Sequence, residues 1–211
     1  MKQARLLPLF LSMLLLPGCF SGLNSRAPVQ QRYLLQLPAR PAAAPSAAPA
    51  AAAGPATGTL QVLRPNAAPG LAAEGIAVLR PGDRLDYYSN ARWAADAPSA
   101  VQDLLIDALR RAGRFTTVES EGGPFASQYL LSLDLTHFEA RYGDSGAPTV
   151  EVELVASLGR RSDRSLLRTL TAGSSVRAQA DRMQAVIAAF GQATDDVLGQ
   201  ISAQLTPPTA P

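Results

Sequence analysis

Three consecutive segments between Gln128 and Ser174 alternate apolar and polar side chains, and this narrows the possible folds more than any other feature. In Gln128 to Phe138, Tyr129, Leu131, Leu133 and Leu135 share one face, while Ser132, Asp134 and Thr136 share the other. Thr149 to Leu158 turns Val150, Val152, Leu154, Ala156 and Leu158 inward and Glu151, Glu153 and Ser157 outward. Successive side chains on a strand point to opposite faces, so a period of two specifies half-buried strands. A turn at Gly159 to Asp163 leads into Leu166 to Ser174, which returns as a hairpin partner. A sheet with one apolar face must be covered.

Two stretches have the helical period that such a cover needs. Ser99 and Gln102 read as a capping box, in which hydroxyl and amide side chains satisfy the free amides of a helix start. Val101, Leu104, Leu105, Ala108, Leu109 and Ala112 then form one apolar face. Arg110 and Arg111 suit the negative end of the helix dipole, and Gly113 can adopt the left-handed conformation that ends the helix. Arg110, Arg111 and Arg114 read either as a solvated helix end or as a lipid-phosphate contact. A second helix is expected from about Gln179 to Leu205. Its stripe of Met183, Val186, Ile187, Phe190, Val197, Leu198, Ile201 and Leu205 reads as the sheet's cover or as a partner seam, and Gly191 and Gly199 weaken it.

Further strands are expected at Arg32 to Leu37, Thr59 to Arg64, Gly75 to Arg80 and Arg84 to Tyr88, followed by Asn90 to Asp96 with the sole tryptophan, Trp93. Pro38 to Gly58 is rich in alanine and proline and almost uncharged. Proline at this density blocks helix and central strand, so the run reads as a disordered insert, either a surface insertion or a partner-reaching arm.

The N-terminus is a processing signal. Lys2 and Arg5 precede an apolar run from Leu6 to Leu16, shorter than the roughly 20 residues a spanning helix needs. The run closes on Leu-Pro-Gly-Cys, and Cys19 is the sole cysteine. This resembles a bacterial lipobox, in which the thiol is acylated and the chain is cut before it, although Pro17 stands where a small residue is commoner. The expected organisation is a signal peptide over 1–18, a tether over 19–31, one domain over 32–205 and a frayed tail over 206–211. With Phe20 rather than Asp after the cysteine, the resemblance implies the periplasmic face of the outer membrane. Removing Lys2 and Arg5 leaves 17 basic residues against 17 acidic ones, which argues against a nucleic-acid partner. With Cys19 committed to lipid there is no disulfide framework, and stability must come from packing.

Residues for catalysis are scarce. His137 is the single histidine, so a multi-histidine metal centre cannot be built. No Gly-x-Ser-x-Gly elbow accompanies Ser132, Ser145, Asp134 or Asp144 as partners for it. The single lysine, Lys2, lies in the leader, and no phosphate-binding Gly-Lys loop exists. We expect a non-enzyme with no cofactor and no metal.

Tyr88, Arg92, Trp93 and Ala94, then Pro98 and the first helix, are similar to a segment of the ABC-type transport auxiliary lipoproteins of the PqiC-like group. The run from Asp134 through His137, Phe138, Arg141, Tyr142 and Gly143 resembles the strand-end segment of the same proteins, and Tyr33-Leu34-Leu35, Gly75-Ile-Ala-Val and the C-terminal helix follow in matching order. The resemblance implies a single α/β domain, three-layer-like, with a mixed sheet and two main helices, similar to the TolB N-terminal fold. It implies an outer-membrane lipoprotein, acylated with palmitate-type chains at Cys19. Its partners would be an MCE-domain protein and an ABC permease and ATPase that move lipids or defend against toxic compounds. Rings that receive the end of the MCE protein imply a homo-oligomer. Tyr88, Arg92, Trp93, Phe138, Arg141 and Tyr142 are the residues expected on a partner or oligomer surface, with Trp93 also suited to the core. Two other readings stand beside it: an assembly lipoprotein for outer-membrane protein or lipopolysaccharide insertion, and a periplasmic lipoprotein binding a small ligand near Trp93 and Tyr88.

Overall fold

A computed structural model describes residues 30–39 and 56–207. The signal peptide, Cys19, most of the tether and of the Ala/Pro insert, and the end of the tail lie outside the described residues. In chain order the elements are β1 (Gln31–Tyr33), β2 (Thr59–Val62), β3 (Asn66–Ala67), β4 (Gly75–Arg80), β5 (Arg84–Trp93), α1 (Ala97–Ala112), β6 (Thr117–Ser120), β7 (Tyr129–Arg141), β8 (Thr149–Arg160), β9 (Leu166–Arg177) and α2 (Met183–Gln204).

The three alternating segments form the antiparallel sequence β7–β8–β9, with Leu131 opposite Leu158, Leu135 opposite Leu154, and Val152 opposite Ser174. Leu131, Leu133, Leu135, Val150, Leu154 and Ala156 are at most 1% exposed, so the predicted inward face is the core face. A bulge between Leu135 and His137 adds one residue to β7. It shifts the alternation by one, so that Phe138 and Ala140 rejoin the core while His137 and Glu139 face away from it.

The other edge of β7 is shared by three parallel strands in succession. β2 pairs with its start, β3 with its middle and β4 with its end. The sheet branches from there, with β6 parallel to β2, and β5 antiparallel to β4 with β1 parallel to β5. The result is a mixed nine-stranded sheet and two helices, the α/β domain that the sequence implies. The layering differs from the three-layer-like packing expected. α1 and α2 touch each other and share one face of the sheet, so the arrangement is two layers with the opposite face polar.

The cap of α1 lies three residues before the expected one. Asp96 is the N-cap, accepting from the Ser99 amide at 3.0 Å, and Pro98 sits in the first turn, where its missing N–H costs nothing. Ser99 donates its hydroxyl to Asp96 Oδ2 at 3.0 Å instead of capping, and Gln102 is buried, donating Nε2 to the Val62 carbonyl at 3.0 Å. Gly113 ends the helix at φ 64°. α2 starts four residues later than expected, because Ala178 continues the β9 ladder by donating to Pro148 O at 2.9 Å.

Other strand boundaries also move. β1 stops at Tyr33, where the Tyr33 carbonyl accepts the last ladder bond from Ala94, and residues 34–38 then run as a strap across α2. β5 continues unbroken to Trp93, joining two segments that the sequence separates. Gly191 is buried, and its missing side chain lets the Gln36 main chain lie against the helix. β3 and β6, of two and four residues, were not expected.

Candidate functional site

The six residues singled out from sequence fall into separate environments. Trp93 and Phe138 are each 2% exposed and pack with Phe190 of α2, at ring-centroid distances of 5.7 Å for Trp93–Phe138, 5.2 Å for Trp93–Phe190 and 5.0 Å for Phe138–Phe190. This aromatic trio joins sheet to helix, and burial removes both residues from any partner surface. Among the described residues the Trp93 indole N–H finds no acceptor, an unmet buried donor whose cost the ring packing must offset. Arg92, one position earlier on β5, points outward and is exposed.

Tyr88, midway along β5, meets Tyr142, the residue just past the end of β7. Their hydroxyls lie 2.9 Å apart, and Tyr142 donates to Asp181 Oδ1 at 2.6 Å. The Arg80 guanidinium stands 5.4 Å from the Tyr142 ring centroid. Burial, then the bonds to Asp181 and Tyr88, raise the Tyr142 pKa well above the ordinary phenol value; burial likewise raises that of Tyr88. Both phenols stay protonated, so the group is a latch that ties the end of β7 to the residues preceding α2.

Arg141 belongs to a third cluster, on the helix-free face. Its Nε lies 2.9 Å from Glu151 Oε1 and its Nη2 3.7 Å from Glu139 Oε1. Glu139 is 5% exposed, and its carboxylate accepts from the Phe138 amide at 2.6 Å, which satisfies a backbone donor at the bulge. His137 Nδ1 pairs with Glu139 Oε1 at 2.8 Å. That bond, opposed by burial and reinforced by the charges of Glu139, Glu153 and Glu151, raises the His137 pKa above the ordinary imidazole value.

Chemically this cluster is closed. Ligand atoms of His137, Glu139 and Glu151 lie within 4.8 Å of one another, but Arg141 already bridges the two carboxylates and supplies the cation they need. Thr136, the nearest hydroxyl in the chain, donates to Glu153 Oε1 at 2.7 Å. Among the described residues no hydroxyl is hydrogen-bonded to His137, so its bond to Glu139 forms a dyad without a nucleophile.

What the domain presents instead is surface, including an edge that the sequence did not reveal. Among the described residues β9 is paired on one side only. The bond from Ala178 to Pro148 sets the phase of its ladder, so Thr169, Thr171, Gly173, Ser175 and Arg177 direct their main-chain groups outward. Gln200 of α2 donates to the Gly173 carbonyl at 3.1 Å. From Thr169 to Val176 the strand has no charge and no proline, the usual devices that blunt an edge. Periodicity marks which face of a strand is buried but not whether a neighbour lies beside it.

Among the described residues no helix is long and apolar enough to cross a membrane. The fold has solved counterparts. The crystal structure of protein XCC0632 from Xanthomonas campestris is 26% identical and superposes with a TM-score of 0.68, covering 82% of this chain and 97% of that one. A second structure, of an uncharacterized protein, is 16% identical with a TM-score of 0.58, covering 83% of this chain and 99% of its own, and shares the fold. No protein of curated function matches the chain. The sequence profile of the ABC-type transport auxiliary lipoprotein component matches residues 33–202, nearly the whole folded body, and the chain belongs to that family.

Proposed function

We propose that this protein is a non-catalytic lipoprotein subunit of an ABC transport system that moves lipids or toxic compounds, anchored through acylated Cys19 at the periplasmic face of the outer membrane. There it docks a periplasmic MCE-domain protein, whose transport is driven by an ABC permease and ATPase elsewhere. The observation that carries this reading is the family match across residues 33–202. It is supported by a His137–Glu139 dyad that lacks a nucleophile, and by a lone cysteine at the end of an apolar leader. Copies of the chain associate with one another, and the open edge of β9 is the surface on which a second copy adds a strand. Stable attachment needs more than one acyl chain, which a bacterial lipoprotein anchor supplies.

The test is mild-detergent purification of the tagged native lipoprotein, with partners identified by mass spectrometry. An MCE-domain protein and an ABC permease or ATPase in the eluate are the expected result. An outer-membrane barrel alone would overturn the reading in favour of an assembly lipoprotein.

A further inference from the structure

We infer that one end of the domain, formed by the β8–β9 turn, the start of β7 and the close of α1, rests on an anionic phospholipid surface. Arg114, Arg161 and Arg164 face the lipid phosphates there, and Phe125 and Leu166 enter the interfacial layer. The topology gathers this end from segments far apart in sequence. Leu60 of β2 pairs with Tyr129, and Tyr129 with Arg160, so β2 and β7 start where β8 finishes. The Arg114 carbonyl accepts from the Thr57 amide at 3.3 Å, and Arg110 donates Nε to the Val118 carbonyl at 2.9 Å, which brings the close of α1 to the same level. Arg168 donates to the Gln204 carbonyl at 2.9 Å, so α2 also ends here. From the turn, Arg161 donates Nη1 to Gln61 Oε1 at 3.0 Å and to Ser127 Oγ at 2.9 Å.

The charge at this end is one-sided. Arg110, Arg114, Arg160, Arg161, Arg164 and Arg168 stand against three carboxylates, Asp107, Glu119 and Asp163. The rest of the described body has the opposite balance, nine arginines against fourteen carboxylates. Asp163 lies 3.2 Å from Arg160 and Asp107 3.8 Å from Arg110, while Arg168 answers the negative pole of α2. Arg114, Arg161 and Arg164 make no ion pair among the described residues; the partners of Arg161 are neutral and hold its guanidinium without cancelling its charge. Phe125 and Leu166 are each 67% exposed, more than any other large apolar side chain among the described residues. Leu166 stands opposite Gly159 at the turn, and Phe125 precedes Ala126, whose carbonyl accepts the Thr59 hydroxyl at 3.0 Å.

These features select a bilayer as the occupant. Single apolar side chains set among cations suit a fluid interface, which admits them between headgroups. A protein partner needs a contiguous apolar core, and a nucleic acid would leave Leu166 in water. The inference rests on the anchorage at Cys19 and adds which end of the domain meets the membrane. Residues 19–30 reach roughly 40 Å when extended, about the length of β8, so the tether allows either end to approach and the charge decides between them.

The test uses the native acylated protein in phosphatidylcholine vesicles, with and without phosphatidylglycerol, that carry a spin label on a fraction of their headgroups. Acylation blocks the Cys19 thiol, so Ser162→Cys at the β8–β9 turn and Ser145→Cys at the opposite end each take a single environment-sensitive fluorophore; dye on the parent chain would mean that the anchorage itself has failed. With phosphatidylglycerol present, quenching at position 162 is expected to exceed that at 145 roughly fivefold. The excess should vanish without phosphatidylglycerol, in about 0.5 M salt, and on adding Arg161→Gln with Arg164→Gln, whose melting temperature stays at the parent value. Equal quenching at the two ends, stronger quenching at 145, or an excess at 162 indifferent to phosphatidylglycerol and salt would each overturn the inference.

Discussion

Replacing Gly191 by alanine sets helix propensity against packing, and the structure says which wins. In a helix interior, alanine is favoured over glycine by roughly 0.8–1 kcal/mol. At Gly191, however, a β-carbon would collide with the Gln36 main-chain oxygen of the strap. A backbone atom cannot rotate away, so the strap must lift. Overpacking of this kind costs about 1–3 kcal/mol. Lifting also withdraws Leu35 and Leu37, which are half-buried against the core. Setting that loss against the propensity gain leaves Gly191→Ala destabilised by about 1–2 kcal/mol. Gly199 lies in the same helix with nothing within 4 Å of its would-be β-carbon, so Gly199→Ala stabilises by about 1 kcal/mol. At about 2–4 °C per kcal/mol for a domain of this size, the melting temperatures of the two variants separate by roughly 4–12 °C on opposite sides of the wild type. Urea denaturation of both measures the difference directly. Equal stabilisation by both substitutions would refute the strap contact.

Other perturbations report on other joints of the fold. Trp93→Ala removes the centre of the aromatic trio and is expected to cost about 3–5 kcal/mol in denaturant unfolding. Trp93→Phe costs much less, because the indole N–H has no acceptor to lose. Asp96→Ala removes the α1 cap and is expected to cost about 1–2 kcal/mol near neutral pH. Burial raises the Asp96 pKa, but bonds from the Ser99 amide, Arg64 and the Ser99 hydroxyl together hold it below the ordinary value. That contribution is therefore present above the unfolded carboxylate pKa and fades as pH falls through the folded one, which a pH series of melts on wild type and variant detects. His137 has the opposite sign. Its raised pKa gives a contribution that is complete below the unfolded imidazole value of about 6.5 and is lost as pH rises through the folded value. The stability difference between wild type and His137→Gln should shrink with rising pH, and a constant difference would remove the Glu139 pairing from the account.

Much of this architecture is written in side-chain periodicity. The inward faces of β7 and β8 and the apolar stripes of α1 and α2 follow from it, because each is a local pattern imposed by burial. What periodicity could not carry was set by contacts distant in sequence. The β7 bulge places His137 and Glu139 outside and Phe138 inside, and nothing near residue 136 announces it. The start of α2 is delayed by Pro148, thirty residues upstream of the Ala178 amide it accepts from. The Ser99–Gln102 cap failed because Asp96 offered a carboxylate one turn earlier and Gln102 had a strand carbonyl to satisfy. Among the expected surface residues, Trp93 and Phe138 went to the core because α2 brings Phe190 to them, a meeting that no motif spacing encodes.

The central claim is that the domain works by anchorage and surface, not by chemistry at His137. The most direct measurement is complementation of a deletion strain under a detergent challenge to the cell envelope, with expression and folding of each variant verified. His137→Gln is predicted to restore resistance to the wild-type level, whereas Cys19→Ala, with an intact domain and no anchor, is predicted to restore none. Failure of a folded His137→Gln protein to complement, or full complementation by Cys19→Ala, would contradict the account.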